Sequence, residues 1–193
     1  MQPLVYREPL AIALFYSTFV AWFLSELRIM VRNRGGTGEN LDGGSRAWVV
    51  LLIWAGMSAA FGLVRVPVAQ ISGWWPVIVG VALAGCGIAL RQWSVATLGS
   101  FFTTSVEVQA DHRIIEGGPY GVLRHPSYTG GLLTVIGLSL ALGSWLSCLV
   151  AALFALAGFA RRIAVEERAL ASHLGPAWTA FSSTRKRLIP RVW

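Results

Sequence analysis

The sequence predicts an all-α, polytopic membrane protein on three observations: long apolar runs, few charges, and arginines gathered beside the runs. Of 193 residues, 55% are hydrophobic and only 13% charged, whereas soluble domains carry roughly 25% charged residues. Mean hydropathy is +0.61. A net charge of +7 would point to nucleic acid in a soluble chain. Here the cations flank apolar spans, so they report topology and contact with membrane lipids, and no nucleic-acid partner is expected. Cys86 and Cys148 lie inside apolar runs at no metal-ligand spacing, so neither a disulfide framework nor a metal is expected.

The first run, 9–27, is long enough for a hydrocarbon core that takes about 20 residues. Arg7 and Glu8 precede it and Arg28, Arg32 and Arg34 follow, the reverse of a signal peptide. Glu26, near its end, reads as interfacial. Residues 35–45, GGTGENLDGGS, form a flexible polar connection, with neither the preceding strand nor the closing GK[ST] of a phosphate loop. A second span covers 47–64. After a turn around Pro67 to Gly73, a third covers 74–90, and its Gly80, Ala84 and Gly87 give a small-residue face for close helix packing.

Residues 91–127 are too long and polar for a plain connector. Proline suits the first helical position and extends the residue before it, so a helix starts at Pro126 with His125 at its mouth. Free N–H groups and the positive helix end there suit an anionic group. The apolar run 129–160 is too long for one span and fits a helical hairpin turning at Gly143 and Ser144. Five spans with the N-terminus outside leave only Arg7 and Arg65 on the outer side and put the other basic residues, tail included, in the cytoplasm. Beyond the hairpin, Ile163, Leu170, Leu174, Trp178 and Phe181 recur at helical spacing around Gly175 and Pro176, which predicts two short cytoplasmic amphipathic helices. The chain reads as one membrane domain, 1–193, with three N-terminal spans in 1–90 and a catalytic half in 91–193.

Because a hairpin returns the chain to the face it left, Tyr120, His125, Tyr128, His112, Arg162 and Glu166 can line one pocket at the membrane boundary. Plainer readings stand beside this one. His125 can be an interfacial cap, and Glu166 and Glu167 can pair with Arg162 and Arg168 on a surface helix. The tail cations Arg185, Lys186 and Arg187 can bind headgroups, while Gly130, Gly131 and Gly137 read as packing contacts.

The order GPYGVLRHPSYTG, a hydrophobic hairpin, EERAL, LG and a closing RLIP resembles the isoprenylcysteine carboxyl methyltransferase family, integral membrane enzymes that use S-adenosyl-L-methionine. The resemblance covers roughly residues 90–193. It implies cofactor contacts from His112, Ile114, Ile115, Tyr120, His125, Ser127, Tyr128 and Glu166, and a catalytic, substrate-binding Arg162 that meets the substrate carboxylate. Glu107 and Gln109 are weaker candidates, since they fall where loop length varies in the family. Trp178 and Phe181 stand where the family commonly has tyrosines. The implied acceptor is a prenylated small molecule or protein C-terminus, or a similar amphiphile. Competing functions are a phospholipid amine methyltransferase, a related membrane reductase using a nicotinamide cofactor, and a small membrane transporter or scaffold. An arginine beside the acceptor favours a carboxylate over an amine.

Overall fold

The computed structural model describes residues 3–33, 39–108 and 114–193. Among the described residues the chain forms a bundle of six α-helices: α1 (Pro9–Arg32), α2 (Ser45–Leu63), α3 (Trp75–Leu98), α4 (Pro126–Ala141), α5 (Trp145–Leu174) and α6 (Pro176–Thr184). Two two-residue strands, β1 (Glu39–Asn40) and β2 (Glu107–Val108), pair antiparallel and tie the α1–α2 connection to the loop after α3. Four helices, α1, α2, α3 and α5, are long and apolar enough to cross a membrane, and the chain is an integral membrane protein. The fifth expected span, α4, has 16 residues, about 24 Å of rise against a hydrocarbon core of about 30 Å. Most of its surface is buried, so protein replaces lipid around it.

α3 and α4 are joined by a seam of small residues. A Cβ placed on Gly87 would stand 2.6 Å from the Gly130 carbonyl oxygen, and one on Gly130 2.7 Å from the Arg91 nitrogen. A Cβ on Gly137 would strike the Ala84 backbone. With no room for a methyl group, the two backbones meet directly, as the glycines and alanine of the third span led one to expect. α2 lies along α5 in a similar way, with Gly56 against Phe154 and Gly158 against Val49.

The hairpin turns at the expected dipeptide. Gly143 takes φ 75°, a left-handed conformation that suits glycine, and the Ser144 hydroxyl caps α5 by accepting from the Ser147 amide at 3.2 Å. α5 then runs 30 residues without a break. The first of the two expected cytoplasmic helices is therefore the far end of this one, because nothing between Ala160 and Ile163 stops a helix. Gly175, at φ 49°, does stop it, and Pro176 starts α6. α1 and α3 also outrun their expected ends, to Arg32 and Leu98. Their polar ends satisfy each other: Arg91 binds Glu26 through Nε and Nη2, and the Gln92 amide donates to the Ser25 carbonyl at 3.3 Å.

Candidate active site

The segment ahead of α4 is held from both sides. A 3-10 turn at Gly118–Gly121 buries Tyr120. Leu123 then pairs in parallel with Lys186 of the C-terminal tail. The Arg124 amide donates to the Lys186 carbonyl at 2.8 Å and the His125 amide to the Arg187 carbonyl at 3.1 Å. Pro126 opens α4 as expected, and the His125 carbonyl accepts from the Tyr128 and Thr129 amides. The His125 side chain, 2% exposed, faces inward: Nε2 lies 3.1 Å from Glu167 and Nδ1 3.8 Å from Glu166.

Tyr128, two residues into α4, joins the two halves of the constellation. Its hydroxyl donates to Glu166 Oε2 at 2.6 Å and accepts from Arg162 Nε at 3.1 Å. Its ring stacks between His125 (5.7 Å) and Phe159 (5.4 Å). Burial, reinforced by Glu166, pushes the Tyr120 phenol above its ordinary pKa, so it stays a neutral hydroxyl across the physiological range.

Two cavities meet at this point. The inner one, about 110 Å³, is lined by Ile114, Ile115, Tyr120, Arg124, His125 and Glu166, with Leu170, Leu174, Trp178 and Phe181 as an apolar wall. The other, about 340 Å³, lies between α1 and α2 and is walled by Trp22, Ile53, Trp54, Val135 and Phe159. Phe102, Thr103, Tyr128 and Arg162 line both. Sites for drug-sized ligands span roughly 300–1,000 Å³, so the inner cavity must widen to take a molecule as large as a nucleoside.

Of the expected site residues, Ile114, Ile115, Tyr120, His125, Ser127, Tyr128, Arg162 and Glu166 all line the inner cavity. His112 and Gln109, and the Glu107 side chain, lie outside the described residues. The Ser127 hydroxyl is already engaged, accepting from Arg91 Nη1 at 2.9 Å. Arg162 is more occupied than expected. Besides Tyr128 it binds Asp42 and, at 2.9 Å, the Ser45 hydroxyl through Nη1, and the Thr104 carbonyl through Nη2 at 3.1 Å. Neither glutamate takes the surface pairings with Arg162 and Arg168. Glu166 takes Tyr128, and Glu167 collects His125, Arg124 and Arg187. Two of the three tail cations are engaged within the protein, Arg187 with Glu167 and Arg185 with Glu116.

Sequence reasoning missed Asp42 and the Arg91–Glu26 pair. A signal existed for each. Asp42 stands three residues ahead of Ser45 at the start of α2, where a carboxylate suits helix amides, and it does accept from the Arg46 amide at 3.2 Å. Glu26 and Arg91 are opposite charges near the ends of two apolar runs, and such charges seek one another.

Residues 79–172, just under half the chain, match the profile of the isoprenylcysteine carboxyl methyltransferase (ICMT) family. Protein-S-isoprenylcysteine O-methyltransferase B of Arabidopsis thaliana is 28% identical over 121 residues, 62% of this chain and 61% of that protein. The protein-S-isoprenylcysteine O-methyltransferase of Schizosaccharomyces pombe is 30% identical over 108 residues, 55% of this chain and 46% of that protein. The match thus spans about three fifths or less of the length of these curated relatives. A solved structure of the eukaryotic intramembrane Ras methyltransferase ICMT superposes with a TM-score of 0.69 at 22% identity, covering 98% of this chain and 70% of that one, a likeness of fold. Residues 79–172, which carry α4, the loop before it and the glutamate pair of α5, are thus similar to the isoprenylcysteine carboxyl methyltransferase family.

Proposed function

We propose that this chain is an integral membrane methyltransferase that moves a methyl group from S-adenosylmethionine to the carboxylate of a prenylated cysteine or a similar lipophilic acceptor. The observation that carries the reading is the wall shared by the two cavities: Tyr128 and Arg162 face, on one side, a chamber where Tyr120, Arg124, His125 and Glu166 stand against apolar residues and, on the other, a larger and more apolar one. A water-soluble donor and a lipid-soluble acceptor need such a meeting point. It holds the reactants in line and keeps water out, and the alignment itself supplies much of the rate.

The inner cavity suits the donor chemically. Arg124 Nε is buried with no partner among the described residues, a donor that an amino-acid carboxylate would satisfy. Glu166 can accept from an amino or ribose group, and the apolar wall of Leu170, Leu174, Trp178 and Phe181 suits a purine. When bound, the cofactor supplies a methyl group on a sulfonium sulfur. An acceptor carboxylate is already ionised at neutral pH and needs no general base. The protein's part is then to fix Tyr128 between Glu166 and Arg162 and to hold His125 against Glu167. Arg162, which the family resemblance gives to the acceptor carboxylate, keeps one N–H of its guanidinium for that contact after serving Asp42, Ser45, Tyr128 and Thr104. The larger cavity is lined by Arg46, Arg91 and Arg162 against the one carboxylate of Glu26, an excess of positive charge that disfavours the ammonium of an amine acceptor.

In the bilayer we place the N-terminus outside and the C-terminus and site in the cytoplasm, with α4 as a short fifth span. The distribution of arginines supports this orientation. Reconstituted protein should bind S-adenosylhomocysteine in calorimetry and methylate a farnesyl-cysteine analogue in preference to a phospholipid amine. Methylation of the amine alone would reject the carboxylate reading, and no binding of the nucleoside would reject the methyltransferase.

A further inference from the structure

Among the described residues, Arg124 and His125 line the inner cavity, while Glu167 and Arg187 stand behind them. Glu167 divides its two oxygens between these neighbours. Oε1 takes Arg124 Nη1 at 2.8 Å and His125 Nε2 at 3.1 Å, and Oε2 takes Arg187 Nε at 3.0 Å and Nη2 at 2.8 Å. Two N–H groups of one guanidinium closing on a single oxygen fix the rotation of the carboxylate, which leaves the other oxygen to the cavity-lining pair. A carboxylate only accepts, so His125 Nε2 carries the hydrogen and Nδ1 is turned toward Glu166, 3.8 Å away.

The same arginine fixes the main chain of that histidine. Its carbonyl accepts from the His125 amide at 3.1 Å, beside the Lys186 carbonyl on the Arg124 amide at 2.8 Å. The Leu188 carbonyl accepts from the Thr129 hydroxyl at 2.8 Å, and the Leu188 side chain is buried. Arg187 thus grips residue 125 by its amide and, through Glu167, by its ring. The backbone contacts and the buried leucine suffice to dock the tail. The Arg187 side chain is 37% exposed, and an ion pair so placed adds little to folding. What the guanidinium adds is orientation.

We propose that Arg187 is a positioning residue of the donor site: acting through Glu167, it sets the angle at which His125 and Arg124 meet the bound nucleoside. The inference rests on the methyltransferase reading above and deepens it. It gives part of the site's precision to residues 185–193, beyond the 79–172 of the family match. Released from Arg187, the Glu167 carboxylate is free to turn and engage Arg124 Nε, which has no partner among the described residues, and so to compete with the ligand for it.

The test uses the purified full chain in phosphatidylcholine vesicles, with S-adenosylhomocysteine binding read by calorimetry and N-acetyl-farnesylcysteine as acceptor. Arg187→Gln leaves the backbone contacts in place and should weaken the nucleoside about tenfold, the scale of one charged hydrogen bond, while the acceptor KM stays within twofold of wild type. Arg187→Lys, which keeps the charge and loses the fork, should fall between the two. Glu167→Gln should weaken the nucleoside to about the same degree as Arg187→Gln. In that background Arg187→Gln should cost no more than a further twofold, because both changes act through one carboxylate. A nucleoside affinity within twofold of wild type in folded R187Q overturns the proposal whatever its thermal midpoint, since an arginine that merely secured the tail would lower the midpoint alone. A full tenfold loss added on top of Glu167→Gln overturns it as well. Should R187Q fail to fold, an E167Q protein with wild-type nucleoside affinity overturns it equally. A wild-type protein that binds no S-adenosylhomocysteine overturns the reading beneath it instead, so the two failures are distinguishable.

Discussion

The two sides of the bundle are built on opposite terms. Between α3 and α4 there is no space for a methyl group, since a Cβ on Gly87 would come within 2.6 Å of a backbone oxygen. Between α1 and α2 there is a cavity of about 340 Å³, crossed by ring contacts of Phe15 on Phe61 at 5.9 Å and Trp22 on Trp54 at 6.2 Å. The first seam carries the N-terminus of α4, hence His125 and Tyr128, and must not move. The second must admit something. A membrane protein cannot rely on the hydrophobic effect to close helices against each other, because lipid tails are as apolar as leucine. Close packing has to be written in glycine, and its absence leaves a way in.

This contrast is sharpest under overpacking, where the largest effect is expected. Gly87→Val should destabilise the bundle by about 3 kcal/mol, read as a lowered midpoint of thermal inactivation in detergent. Gly85→Ala is the control: it sits on the same helix, but its Cβ would meet nothing within 4 Å, so it should be neutral or slightly stabilising. If the two variants behaved alike, the seam would have no special status.

Next in size, removing the polar groups of the inner cavity should cost binding before stability. Glu166→Ala and His125→Ala should each weaken S-adenosylhomocysteine by about tenfold or more, the scale of a charged hydrogen bond. Calorimetric affinities unchanged in both would remove those residues from the cofactor's surroundings. A filling substitution on the loose side should have the complementary signature. Ile53→Trp, on the wall of the larger cavity, should raise the acceptor KM about tenfold and leave nucleoside affinity alone, and a parallel loss of both would mean that the cavities are not separate compartments.

The smallest effect is expected at the rim. Arg185 and Glu116 pair at 2.7 Å, but the glutamate side chain is 62% exposed. Arg185→Ala should shift stability by less than ~1 kcal/mol, and the shift should shrink in high salt. A larger or salt-insensitive change would show that the tail's fold over Glu116 is a firmer closure than its exposure implies.

Much of this was legible beforehand. Spans, the turn at Gly143, the stop at Gly175 and the Gly80–Ala84–Gly87 face follow from local rules of hydropathy, glycine and proline, which act over a few residues. The RHPSY and EE motifs were likewise visible as a site, and Tyr128 and Glu166 do meet. What a local rule could not give was the end of a helix whose polar residues find distant partners. α1 and α3 continue through Glu26, Arg91 and Gln92 because these satisfy one another across 65 and 67 residues of chain. The same holds for the tail. Its cations read as headgroup binders, yet Arg187 closes on Glu167, a pairing decided by where the hairpin happens to return.

By itself, the sequence determined that this chain lives in a membrane, where its helices begin and turn, and which residues gather ahead of α4. Those are consequences of solvent transfer and backbone geometry, and each is settled within a turn or two of chain. Tertiary structure alone decided which charges are spent and which remain. A guanidinium is neutralised by whichever carboxylate folding brings near: Asp42 from the α1–α2 connection claims Arg162, and Glu26 claims Arg91. Spacing along the chain holds no record of those pairings, because partners 65 and 120 residues apart meet only once the helices have packed.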